Sequence, residues 1–286
     1  MPTPRDLFHA SGRDHGARLR VKSMLEWIFL DVGNVLLDED PLTYLSFRRH
    51  AEAILRAHPG LAFRDVLAAW EARAAAGSRW PVPEVVSAFL DEGACDEIWA
   101  STEREVRGRF AALSPMIPGA AAVVERLARR HRLGLIANQG LECRARLAEL
   151  GLLRHFDVVA LSEEVGRYKP DPALFEAALD GAGSPPGCCL MVGDRLDNDL
   201  APARGLGMAT AWVRWPRFAA KGWRPDDPNA LAYRDALERV AALAPALRPH
   251  IHPTLVVDET RDLDAALRDV EQGRDGGTAG PGEVTR

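Results

Sequence analysis

Lysine is nearly missing from this chain: among 36 basic residues only Lys22, Lys169 and Lys221 are lysines, and the rest are arginines. A surface that draws its positive charge from arginine keeps lysine where a compact ammonium matters, which singles out Lys169. Cysteine is also scarce. Cys95, Cys143, Cys188 and Cys189 have neither zinc-site spacing nor the look of a disulfide framework. Cys188-Cys189 opens an apolar run ending in Met191-Val192, so core packing is the expected role there. No apolar run approaches membrane-spanning length and no signal-peptide core stands near the start, which makes the cytoplasm the default location. The net charge of −5 argues against nucleic acid or an anionic membrane surface as the main partner. What remains is globular material, 47% hydrophobic and 27% charged over 286 residues, enough for one large domain or two small ones.

Residues 1–23 show no periodicity and are expected to form a disordered arm. Trp27-Ile28-Phe29-Leu30 then reads as a buried strand that delivers Asp31 into a Gly33-Asn34 turn. Asp40-Pro41 is a helix start, with Asp40 as its N-cap. From 41 to 113 the apolar spacing is helical, through Val66, Leu67 and Trp70, then Val85, Val86, Phe89 and Leu90, then Ile98 and Val106. Strands are expected again at 133–137, 156–161, 189–192, 209–213 and 255–257. Helices are expected at 120–130, from 173, around 199–206, near 228–243 and from 263. Strands alternating with helices imply a parallel sheet covered on both faces. The expected fold class is therefore α/β: a doubly wound, Rossmann-like parallel sheet over 24–40 and 114–272, with a helical cap inserted at 41–113. The Gly-rich tail, 273–286, is expected to be disordered.

Open α/β sheets bind ligands at the carboxyl ends of their strands. Asp31, Asn138, Lys169 and Asp194 all end strands or follow them. Two carboxylates there can hold a hard divalent cation, Mg²⁺ above all. A lysine beside them neutralises an incoming phosphate as a point charge. Asp31 is suited to nucleophilic attack, as carboxylates are in aspartyl-phosphate enzymes. Each residue also has a local reading. Asp31 and Asn138 suit turns, Lys169 suits a solvated loop, Asp194 suits a helix N-cap, and Asp197 and Asp199 suit the positive end of a helix.

The order of these segments resembles the haloacid dehalogenase-like hydrolases across residues 25 to 270. Asp31-Val32-Gly33-Asn34-Val35-Leu36 is similar to the family's first motif, in the D-x-G-N-V form of a helical-cap (C1-type) branch. Ile136-Ala137-Asn138 is similar to the second, Lys169-Pro170-Asp171-Pro172 to the third, and Gly193-Asp194-Arg195-Leu196-Asp197-Asn198-Asp199 to the fourth. The resemblance implies that Asp31 attacks the substrate phosphorus, and that Asp31, the Gly33 carbonyl and Asp194 bind Mg²⁺. It implies that Asn198 and Asp199 fix Asp194 from behind, that Asn138 contacts the phosphoryl group, and that Lys169 steadies both. The implied substrate is a small phosphorylated metabolite, with no nucleic acid and no membrane, and the chain a monomer or homodimer.

Two positions depart from the pattern. Gly33 stands where most family phosphatases carry an acid/base Asp, and Ala137 where a hydroxyl residue precedes Asn138. Phosphonate-cleaving relatives use a cap lysine, and 41–113 contains none. A dehalogenase reading suits Lys169 and the Gly-Asp segment less well than a phosphate reading. The alternative is a non-catalytic relative that binds a phosphorylated ligand or partner. Asp38 is expected to be a solvated turn acid, and Arg48 and Arg49 to lie on a solvated helix face.

Overall fold

The computed structural model describes residues 25–273, so the arm expected at 1–23 and nearly all of the tail expected at 273–286 lie outside the described residues. Six parallel strands form one sheet: β1 (Trp27–Leu30), β2 (Arg132–Ala137), β3 (Val158–Leu161), β4 (Cys189–Gly193), β5 (Ala209–Val213) and β6 (Leu255–Val257). Their order is β3-β2-β1-β4-β5-β6, with every neighbouring pair parallel.

The period of two along each strand explains how both faces are covered. Ile28 and Leu30 join Leu133, Leu135, Leu190 and Val192 on one face, while Trp27 and Phe29 join Ile136, Cys189 and Met191 on the other. The four cysteines are free thiols, and Cys143, Cys188 and Cys189 are buried, which fits the core-packing expectation.

After β1 the chain forms α1 (Asp40–Ala57), α2 (Phe63–Ala75), α3 (Pro81–Phe89) and α4 (Glu92–Leu113), and α5 (Ala120–Ala128) also precedes β2. Then come α6 (Leu141–Glu149), the single turn α7 (Ser162–Val165) and α8 (Pro172–Ala182). The helix expected around 199–206 divides into a π-helical turn, Leu196–Leu200, and a short α9 (Ala201–Gly205). After β5 come α10 (Pro228–Ala242), α11 (Ala244–Leu247) and, past β6, α12 (Leu263–Glu271). Among the described residues no helix is long and apolar enough to cross a membrane.

Helix α10 belongs to the insertion's core rather than to the sheet. Ala230, Tyr233 and Ala236 share a buried cluster with Tyr44, Phe47 and Ile54 of α1 and with Val66 and Trp70 of α2. Tyr233 stacks on Phe47 with ring centres 5.0 Å apart. The Tyr44 hydroxyl donates to Asp227 at 3.1 Å, the residue that caps α10.

Candidate active site

The sheet reverses its winding between β1 and β4, the place where doubly wound sheets open a crevice. Leu30 pairs with Val192 across that boundary. The Asp31 N–H donates to the Val192 carbonyl at 2.9 Å, so Asp31 leaves β1 directly beside the Gly193-Asp194 end of β4. A Cβ on Gly193 would fall 2.4 Å from Asp199 Cβ, so only glycine lets the π-helical turn fold back so tightly against the strand end.

Past Asp31 the chain curls back on itself. Leu36 and Leu37 donate to the Val32 carbonyl at 2.9 and 3.0 Å, and Asn34 N–H donates to Leu37 O at 2.7 Å. Asn34 takes a left-handed φ of 54°, which asparagine tolerates better than most side chains. The Trp215 indole N–H donates to its carbonyl at 2.6 Å.

Lys169 is the hub. Its side chain is buried, with Nζ 2.8 Å from Asp31 Oδ1 and 2.7 Å from Asp199 Oδ1, and it donates to the Ile136 carbonyl at 3.1 Å. The ammonium thus pairs with two carboxylates and gives a hydrogen bond to a strand-end carbonyl. Asp31 Oδ1 also accepts the Val32 N–H at 2.8 Å, so among the described residues both bonds fall on Oδ1 and Oδ2 is the oxygen left to the cleft. Asp31, Asp194 and Asp199 each offer an oxygen within 4.8 Å of the others. Burial and the Asp199 charge push the Asp31 carboxyl up to about 6 against the pull of Lys169. Burial, then Asp199 and Asp31, push Asp194 up to about 7. Three acids around one lysine leave negative charge uncompensated, a donor set suited to a hard cation.

The remaining expected residues take distinct positions. Asn138 brackets the Lys169 backbone, its Nδ2 donating to Lys169 O at 3.0 Å and its Oδ1 accepting Lys169 N–H at 2.6 Å. Asp199 is fully buried and accepts the Arg195 N–H at 2.9 Å besides meeting Lys169. Asn198 is buried in the same π-helical turn. Ala137 is buried in the sheet core. Asp194 is partly exposed, and its carbonyl accepts the Trp212 indole N–H at 2.9 Å.

Two expectations for neighbouring acids are corrected. Asp38 is not a solvated turn acid: it is fully buried, and its carboxylate accepts the N–H groups of Asp40 and Trp223 at 3.1 and 2.8 Å. Asp40 is not the N-cap. It is the first residue of α1, Glu39 holds the cap position without a side-chain cap bond, and Asp40 instead meets Lys221 Nζ at 2.6 Å.

Two residues were missed. Glu39 turns its carboxyl toward the cleft, where Gln139 Nε2 donates to its Oε1 at 2.6 Å. Burial and the Asp31 charge hold that carboxyl well above its usual range, at about 8. Neither residue belongs to a spaced motif. The nearest signal was the glycine at 33, which makes room. On the insertion side, a cavity of about 640 Å³ lies between α1 and α4, lined among others by Leu42, Ser46, Trp99 and Thr102.

Comparison with known proteins points the same way as this geometry. The family model for haloacid dehalogenase-like hydrolases matches residues 25–207. The chain is similar to a phosphoserine phosphatase of Thermus thermophilus, 39% identical over 118 residues, which are 41% of this chain and 45% of that protein. It is similar to a glyceraldehyde 3-phosphate phosphatase of Methanothermobacter thermautotrophicus, 34% identical over 37% of this chain and 47% of that protein. The chain thus spans about half the length of the curated relatives it matches. Among solved structures, an HAD phosphatase from Thermococcus onnurineus superposes with a TM-score of 0.52 at 20% identity, over 85% of this chain and 97% of that one. A putative β-phosphoglucomutase from Thermotoga maritima gives 0.55 at 20% identity, over 86% and 99%. At these identities the structural likeness is one of fold alone.

Proposed function

Because the chain belongs to the haloacid dehalogenase-like hydrolase family, we propose that it hydrolyses small phosphate monoesters through a phosphoryl group carried on Asp31. The observation that carries this reading is Lys169 held between Asp31 and Asp199 beside Asp194. A nucleophilic carboxylate needs one oxygen presented and its charge controlled. Asp31 has Oδ1 fixed by Lys169 and Val32 and Oδ2 turned to the cleft. Attack by Oδ2 forms the new O–P bond as the ester P–O bond breaks. Water then attacks phosphorus, freeing phosphate and restoring Asp31. Lys169 neutralises charge on Asp31 throughout, and Asp199 and Asn138 hold Lys169 in place. Such fixed charges act with no reorganisation at the moment of reaction.

Asp31 and Asp194 offer neighbouring hard oxygens suited to Mg²⁺, with the Gly33 carbonyl as the third donor of this reading; burial and nearby acids raise both carboxyls, and a cation would favour their deprotonated forms. When bound, the ion supplies positive charge against the phosphoryl oxygens. The experiment is hydrolysis of a panel of phosphate esters with and without Mg²⁺, beside Asp31→Asn. Metal-dependent turnover that vanishes in Asp31→Asn is expected. Turnover that survives the substitution, or none on any ester including activated aryl phosphates, overturns the reading in favour of a non-catalytic binder.

A further inference from the structure

Breaking an alkyl ester P–O bond leaves an alkoxide that needs a proton, and the hydrolytic water must lose one. Most polar groups around Asp31 are committed elsewhere. Lys169 pairs its ammonium with Asp31 and Asp199 and donates to the Ile136 carbonyl. Asn138 turns its amide oxygen and one amide N–H to the Lys169 backbone. Asp194 and Asp199 complete the acidic cluster with Asp31.

Among the described residues Glu39 offers a protonatable carboxyl outside that cluster, and its placement is built rather than incidental. A Cβ placed on Gly33, two residues beyond Asp31, would lie 2.6 Å from Glu39 Oε2 and 2.9 Å from its carboxyl carbon. The Glu39 carboxyl therefore fills the volume that a short side chain at position 33 would take. The curl from Val32 to Leu37 brings it back there. Its flanks are locked: Asp38 is bonded to Trp223 N–H and Asp40 to Lys221, both fully inside the protein. Glu39 alone of the three stays partly exposed. Gln139 pins Oε1, leaving Oε2 beside Gly33.

We infer that Glu39 is the acid and base of the phosphatase reaction proposed above, a role that rests on that reading. Its carboxyl gives a proton to the ester oxygen as the P–O bond breaks, and the resulting carboxylate takes a proton from the water that attacks the phosphoryl group on Asp31. The donor is restored each cycle. The glycine at 33 then marks a carboxyl delivered from six residues further along the chain, not a lost one.

The test compares wild type, Glu39→Gln, Glu39→Ala and the double variant Gly33→Asp/Glu39→Ala, all full-length with Mg²⁺. The substrates are 4-nitrophenyl phosphate, whose leaving group needs no proton, and an alkyl phosphate that wild type hydrolyses. Glu39→Gln is expected to lose about 10²–10⁴-fold in kcat/KM on the alkyl ester, the usual contribution of acid–base help, and far less on the aryl ester. Rapid mixing of Glu39→Gln with the aryl ester should give a burst of nitrophenolate equal to the enzyme concentration, because phosphorylation proceeds and its hydrolysis stalls. The double variant returns a carboxyl to the same volume and should regain alkyl-ester turnover relative to Glu39→Ala. Equal losses on both esters without a burst, or an alkyl-ester rate unchanged in Glu39→Gln, overturn the inference. A wild type that hydrolyses neither ester overturns the phosphatase reading instead.

Discussion

Lys221 carries its ammonium fully inside the protein, and Asp40 is its counter-charge at 2.6 Å. Its other neighbours are the Asn34 amide oxygen at 3.1 Å and the Phe218 ring at 3.7 Å. Removing one member of a buried pair strands the other, at about 3–5 kcal/mol. Asp40→Ala should therefore cost about that much in chemical denaturation, and a loss within ordinary surface-substitution range would show that Lys221 finds another partner. The scarcity of lysine made Lys169 legible from the sequence, because an isolated ammonium next to strand-end acids has a chemical reason to be there. Asp38, Glu39 and Asp40 were not legible in the same way. Turn and cap preferences describe segments facing water, whereas here Lys221 and Trp223 fold over the turn and bury the two aspartates. The role of Glu39 depends on the Val32–Leu37 curl, which no spacing rule along the chain encodes.

At the scale of elements, what was legible was local. Strands announced themselves by apolar runs and the inserted stretch by helical spacing, so β1, β4, β5 and β6 lie where the sequence puts them and α1 to α4 fill the stretch read as helical. The stretch expected to be one helix around 199–206 is not uniform. Asp199 turns back to accept the Arg195 N–H and to meet Lys169, and the chain responds with a π-helical turn before α9 begins. Such turns collect at functional sites. Helix α10 shows the limit of periodicity, which gives a helix its apolar face without saying which core receives it. Tyr233 answers that question by packing against Phe47, Trp70 and Tyr44. Truncating a buried aromatic costs about 3–5 kcal/mol. Tyr233→Ala should approach that value and should raise proteolytic cleavage within 41–113 more than within the sheet. Cleavage confined to residues 214–250 would show that α10 only leans on the insertion.

Across the whole molecule, acids are concentrated at the crevice between β1 and β4, and their protonation couples the site to stability. Asp31 and Asp40 are pushed up to about 6, Asp194 to about 7 and Glu39 to about 8, all above what the unfolded chain would show. These four groups therefore bind more protons in the folded than in the unfolded state between about pH 4 and 8. By linkage, these groups stabilise the fold at acid pH and withdraw that contribution as pH rises through about 6 to 8. His50, held low by burial, acts in the opposite sense below its ordinary value of 6.5, so the loss should be clearest above that pH. A divalent cation held by Asp31 and Asp194, as proposed above, would reverse the trend, because it favours the deprotonated carboxylates that proton loss creates. At about a hundred times its Kd a single bound ligand adds about 2.7 kcal/mol to stability, and protons compete with it at lower pH. Calorimetry of ion-free protein should show Tm falling between pH 6.5 and 8, and saturating Mg²⁺ should raise Tm more at pH 8 than at pH 6. An equal rise at both values would place the ion away from these carboxylates, and a Tm that climbs with pH in ion-free protein would mean that their repulsion is relieved within the fold itself.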